Sequence, residues 1–167
     1  MKILWAPWRM EYILSDKKDV PCIFCPGRDR AQDKERLILY VGASTMVMMN
    51  KYPYNNGHLL VAPVRHLSDM EDLTDKENLK LLVMVRRSIS ILKKTMNPEG
   101  FNVGLNLGHV AGAGVEAHMH FHIVPRWNGD NNYMTVLGDV RVIPEHIRET
   151  YGKLKPHFDR LSETAIK

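Results

Sequence analysis

At 167 residues and 44% apolar composition, the chain is long enough to bury one core without disulfide staples, so a single domain over residues 1–167 is expected. Its net charge of +4 is spread thinly, with 19 acidic residues among 23 basic ones, and no basic arm or aromatic-basic stripe marks a nucleic-acid binder. No run approaches the ~18 apolar residues of a membrane span, and Trp5, Pro7, Trp8, Arg9 and Glu11 interrupt the apolar N-terminus before a signal-peptide core can form; neither membrane insertion nor targeting is expected.

Both cysteines fall in one cluster, Cys22-Ile23-Phe24-Cys25. That spacing suits a metal or a pair of reduced thiols packed beside Phe24 better than a secreted disulfide framework, and a reducing, cytoplasmic setting follows. Glu35–Gly42 and Thr45–Asn50 are short, apolar and rich in strand formers, and Gly42-Ala43-Ser44 between them reads as the turn of a hairpin. Pro53, Asn55, Asn56 and Gly57 mark a loop, after which His58–Pro63 resumes a buried strand pattern.

Thr74-Asp75-Lys76-Glu77 has the form of a capping box, so a helix is predicted to start there. Leu82, Val85, Ile89, Leu92 and Met96 recur at three- and four-residue steps, which assigns them to one face, and Asn97-Pro98-Glu99-Gly100 ends the run. Phe101–Leu107 and Ala117–Val124 are strand-like, separated by a glycine-rich loop over residues 108–114. Ile147, Tyr151, Leu154, Phe158 and Leu161 form a second helical stripe, with Pro156 predicted to kink or restart the helix. Strands gathered around one long helix imply an α+β fold.

The densest chemistry is His118-Met119-His120-Phe121-His122. Successive side chains of a strand point to opposite faces, so the three imidazoles share one face, ~7 Å apart, while the apolar residues share the other. Two uses are open, a metal site of neutral imidazoles or a nucleophile with supporting donors. The loop bearing Gly108, Gly112 and Gly114 has flexible backbone whose amides can wrap an anion, and beside a histidine face it points to a phosphate pocket.

The run AHMHFHIVPRW resembles the His-φ-His-φ-His-φ-φ signature of the histidine triad superfamily, where φ is apolar. Asn106-Leu107-Gly108 with Ala111-Gly112 ahead of the triad, and Gly57-His58-Leu59-Leu60-Val61-Ala62-Pro63, resemble the motif's usual surroundings, and the similarity runs from about Cys22 to Trp127. The resemblance implies an antiparallel sheet of about five strands with one long helix and a C-terminal helix, paired into a homodimer. It implies His120 as the nucleophile that becomes nucleotidylated, flanked by His118 and His122, with His122 as a donor. Asn50 is similar to the polar residue that holds the ribose, while Asn106 and the Gly114 and Val115 amides would line the phosphate. Lys51, Arg9 and Arg126 are candidates to hold a long polyphosphate.

Several branches of the superfamily complete a structural zinc with histidines at the positions of His66 and His118, so the resemblance implies a site made by Cys22, Cys25, His66 and His118, with His109 a possible substitute. A divalent cation such as magnesium can accompany the substrate. The hydrolase branches carry a glutamine and a hydroxyl residue before the triad, whereas this chain has Ala113-Gly114-Val115-Glu116-Ala117. The opening Leu4–Ile13 and the Asn50–His58 stretch are similar to bacterial diadenosine tetraphosphate phosphorylases of the superfamily. The expected activity is therefore phosphorolysis of diadenosine tetraphosphate to ATP and ADP. The alternatives are a hydrolase that releases AMP from dinucleoside polyphosphates or AMP phosphoramidates, and a nucleotide-binding regulatory protein without turnover.

Overall fold

The computed structural model describes residues 22–27, 30–130 and 145–161; Arg9 and the Leu4–Ile13 stretch lie outside them. Five strands, β1 (Ile38–Val41), β2 (Thr45–Met49), β3 (Leu59–Pro63), β4 (Gly100–Leu105) and β5 (Phe121–Arg126), form one antiparallel sheet in the order β1-β2-β3-β5-β4. The helices are α1 (Asp75–Met96) and α2 (Ile147–Asp159). Among the described residues, no helix is long and apolar enough to cross a membrane.

Every residue of β2 and β3 is buried, which is why both read as unbroken apolar runs. Their period-two alternation splits them between two cores. Val47, Met49, Leu59 and Val61 join Met119, Ile123 and the two helices in the larger core. Met46, Met48, Leu60 and Ala62 face the other way, where Phe24 covers them.

Thr74 caps α1 as the capping box requires: its hydroxyl accepts from the Glu77 amide, and the Glu77 carboxylate accepts from the Thr74 amide at 2.9 Å. The buried face of α1 is Leu81, Met84, Val85, Ser88, Ile91 and Leu92; of the expected stripe, Val85 and Leu92 are buried and Ile89 and Met96 pack against the core, while Leu82 is 52% exposed. In α2 the expected stripe packs as read, with Tyr151, Leu154 and Phe158 buried and Ile147 and Leu161 partly so. The helix runs through Pro156 without restarting; the carbonyl that proline cannot serve belongs to Gly152, an exposed residue, which makes the lost bond cheap.

Two strands begin later than their sequence suggests. Residues 31–37 form turns, with the Ile38 amide bonded to the Asp33 carbonyl and Leu37 at φ 59°, so Glu35 lies in a turn rather than in β1. The stretch from Ala117 to His120 precedes β5, because the Met119 amide donates to the Leu67 carbonyl beyond the end of β3.

Candidate functional site

The alternation around the triad holds even where the ladder does not. Met119 and Ile123 are buried in the larger core and Phe121 packs against it, while His118, His120 and His122 turn to the opposite side. There the three part company. The rings of His120 and His122 are 4.9 Å apart and both line an open cleft of about 430 Å³, within the range of small-molecule sites; His118 does not line it.

The remaining walls are of mixed polarity. Ile23, Phe24, Leu37, Met48, Leu60 and Val115 supply apolar lining, Phe24 directly against His120, and Glu35, Arg36, Asn50, Lys51, Gly112 and Gly114 supply charged, polar or backbone lining. Asn50, Lys51, Gly114 and Val115 thus line the same cleft as His120 and His122. Asn106 stands behind the glycine-rich loop, its carboxamide donating to the Gly112 carbonyl at 3.4 Å. Arg126 is not at the cleft: its guanidinium grips Asp130 through Nε and Nη2 at 2.6 and 2.8 Å and donates from Nη1 to Asn102. Three of its five N–H donors are committed within the protein, and Arg126 does not line the cleft where the polyphosphate was expected.

Hydrogen bonds fix which nitrogen of each ring carries the proton. A carbonyl can only accept, so His120, 2.9 Å from the His118 carbonyl through Nδ1, donates there and leaves a lone pair on Nε2. Burial holds its pKa below the ordinary imidazole range, partly offset by that same bond, so the ring is neutral near pH 7. The Phe24 ring stacks on it at 4.4 Å.

His122 is wired through a fourth histidine that the pattern of residues had marked only as the start of a strand. The Tyr54 amide donates to Nδ1 of His58 at 3.1 Å, and the Asn50 carboxamide lies 3.3 Å from the same nitrogen. Nδ1 of His58 must therefore hold a lone pair, which puts the proton on Nε2, 3.0 Å from Nδ1 of His122. That nitrogen accepts, so neutral His122 is protonated at Nε2. The Tyr54 ring stacks over His58 at 4.9 Å. His58 is fully buried, and its position one residue before the apolar run gave no sign of this partner.

His118 turns toward the cysteines instead. Its Nδ1 lies 3.3 Å from Sγ of Cys22 and 3.8 Å from Sγ of Cys25, and Nδ1 of His66 lies 3.3 Å from Sγ of Cys25. All four candidate ligand atoms fall within 4.8 Å of one another. A tetrahedral ion with bonds of roughly 2.0–2.3 Å sets its ligand atoms roughly 3.3–3.8 Å apart, so the group fits zinc in donor type and spacing. Nε2 of His118 donates to the Pro63 carbonyl at 2.9 Å, which turns the lone pair of Nδ1 toward the thiols. Without a cation, burial and the neighbouring Cys22 push the Cys25 thiol up to about 11; a cation reverses that preference by favouring the thiolates. His109 is exposed in the 3-10 turn His109–Ala111 and takes no part in the group.

A family model described as the HIT domain matches residues 31–129. The AP-4-A phosphorylase of Mycobacterium tuberculosis is 41% identical over 164 residues, which cover 94% of this chain and 84% of the relative. The adenosine 5'-monophosphoramidase hnt1 of Schizosaccharomyces pombe is 30% identical over 127 residues, 76% of this chain and 90% of the relative. A solved zinc-bound histidine triad family protein from Mycobacterium smegmatis shares the fold, with a TM-score of 0.60 at 23% identity over 74% of this chain and 84% of that one.

Proposed function

The chain belongs to the HIT domain family, and we propose that it is a nucleotidyl-transferring enzyme that phosphorolyses diadenosine tetraphosphate into ATP and ADP. One observation carries the reading: neighbouring imidazoles on one cleft present opposite faces, a lone pair on Nε2 of His120 and a proton on Nε2 of His122. An in-line displacement at phosphorus needs this pair, a nucleophile already neutral and a donor beside it for the charge that grows on the phosphoryl oxygens.

In the proposed reaction, Nε2 of His120 attacks the α-phosphorus. An N–P bond forms, the bond to the bridging oxygen breaks, and ATP departs with that oxygen, leaving AMP on His120. An oxygen of inorganic phosphate then attacks the same phosphorus, the N–P bond breaks, and ADP leaves with the ring neutral again. His122 and the backbone amides of Gly114 and Val115 hold the phosphoryl oxygens, Asn50 the ribose, and Lys51 the distal phosphates. The apolar lining, Phe24 and Leu37 among it, suits a nucleobase. Zinc, held by Cys22, Cys25, His66 and His118, would supply a structural cross-link rather than chemistry at phosphorus.

The similarity to the phosphorylase, which extends over most of both chains, favours phosphate as the acceptor. The similarity to hnt1 favours the second reading, hydrolysis with release of AMP. Products of diadenosine tetraphosphate, with and without inorganic phosphate, separate them. ADP and ATP formed only with phosphate are expected; AMP and ATP formed without it would establish the hydrolase instead. His120→Ala is expected to cut turnover by at least about a thousandfold and to abolish the covalent adduct. Retained turnover in that variant, or none in the wild type, would sink the proposal.

A further inference from the structure

The turn that carries Tyr54 is pinned from outside the cleft. Asn55 uses its whole carboxamide: Nδ2 donates to the Pro125 carbonyl at 3.1 Å and to Asp130 at 2.8 Å, while Oδ1 accepts from the Asn56 amide at 3.0 Å. Its backbone carbonyl accepts from the His58 amide at 3.2 Å. Asp130 is itself saturated, holding Arg126 through both oxygens and accepting from the Trp127 amide. Gly57 closes the turn at φ 73°, a conformation that L side chains rarely adopt. The end of β5 and the turn before β3 are thus joined through one asparagine.

We infer that Asn55, anchored by Asp130, is a positioning residue for His122. It holds the turn so that the Tyr54 amide stays aimed at Nδ1 of His58, and that amide keeps the proton on the His58 nitrogen facing His122. The inference rests on the reading of His122 as the donor to the phosphoryl group. Its logic is a relay of single-hydrogen choices, each leaving the next ring one available tautomer. A backbone amide is an unusually firm first member, because it cannot be converted to an acceptor, but it acts only while its turn is held in place. Two donors from one side chain, to a strand end and to a saturated carboxylate, supply that hold.

The test is nitrogen-15 NMR of the imidazoles in the full chain, which reads tautomers directly and needs no substrate, paired with steady-state kinetics on diadenosine tetraphosphate and phosphate. In the wild type His58 and His122 are expected as single Nε2–H tautomers. In Asn55→Ala both are expected to become tautomer mixtures, with kcat lowered about 10- to 100-fold, as for loss of an outer-shell partner, and KM changed little. Asn55→Ser, which keeps one donor, gives an intermediate case should the alanine variant fail to fold. A folded variant whose two rings keep the wild-type tautomers would overturn the inference, as would unchanged kcat with raised KM. If the wild type turns over no dinucleotide, the functional reading fails, while the tautomer comparison still tests the relay.

Discussion

His118 and His122 are four residues apart on the same side of one segment, yet their surroundings make them different reagents. Around His118, lone pairs converge: two thiol sulfurs and two Nδ1 atoms point to a common centre. Around His122, donors and acceptors alternate in a line from the Tyr54 amide through His58. Convergent acceptors call for a cation, whereas an alternating line delivers a proton to a chosen atom. The difference lies in their partners, Cys22, Cys25 and His66 on one side and His58 on the other, with His58 and His66 flanking the two ends of β3.

The largest effect is expected around His118. If the four residues hold an ion as proposed, a chelator, or Cys25→Ser, is expected to lower the melting temperature and leave the relay's tautomers in place. An ion present at a hundredfold over its Kd stabilises by about 2.7 kcal/mol, or about 5–11 °C for a chain of this size. Calorimetry together with metal analysis of the purified protein checks this; a melting point indifferent to chelation would mean that the four residues hold no ion.

His58→Phe sharpens the contrast from the other side. It keeps a flat ring of similar size but removes the donor to His122, so kcat is expected to fall about 10- to 100-fold with metal content unchanged. An equal loss of bound metal would show that the two ends are not separable.

The smallest effect is expected at the start of α1. Arg65, next to His66, donates from Nε and Nη2 to Glu77 at the start of α1. The Arg65 hydrogen bond, followed by those from Thr74, holds the Glu77 carboxyl at about 2, down from 4.5. A depressed carboxyl stabilises fully above its unfolded value and loses that contribution as pH falls through its folded one. The melting-point gap between wild type and Glu77→Gln should therefore be present at pH 6 and close between pH 4.5 and 2. Thr74→Ala, which removes the cap, should cost about 1 kcal/mol in denaturant unfolding at neutral pH.

What could be read from the sequence was what depends on local spacing. β2, β3, the Thr74–Glu77 cap and the α2 stripe are set by period and by side chains at fixed offsets, and each formed within a residue or so of its expected place. On α1 the expected stripe departs only at Leu82, because Leu81, Leu82, Val83, Met84 and Val85 offer two overlapping stripes, and only the sheet beneath selects Leu81 and Met84 at that turn. The triad's shared side was legible from alternation, and the grouping of Cys22, Cys25, His66 and His118 from the family resemblance. The bond between His58 and His122 spans 64 residues, and the pull of Asp130 on Arg126 depends on a turn after β5; neither leaves a periodic trace.

His118 contributes twice over, through its ring to the thiol cluster and through its backbone carbonyl to Nδ1 of His120. Side-chain mutagenesis can touch only the first of these directly, while any shift of the segment it causes reaches the second. An alanine scan of the triad will therefore record His118→Ala as a loss of activity whatever the ring itself does. Its phenotype should depend on the state of Cys22 and Cys25, so that the double variant is far less impaired than the product of the two single losses. Epistasis of that kind, rather than the size of any single defect, separates a scaffold residue from a participant in the reaction.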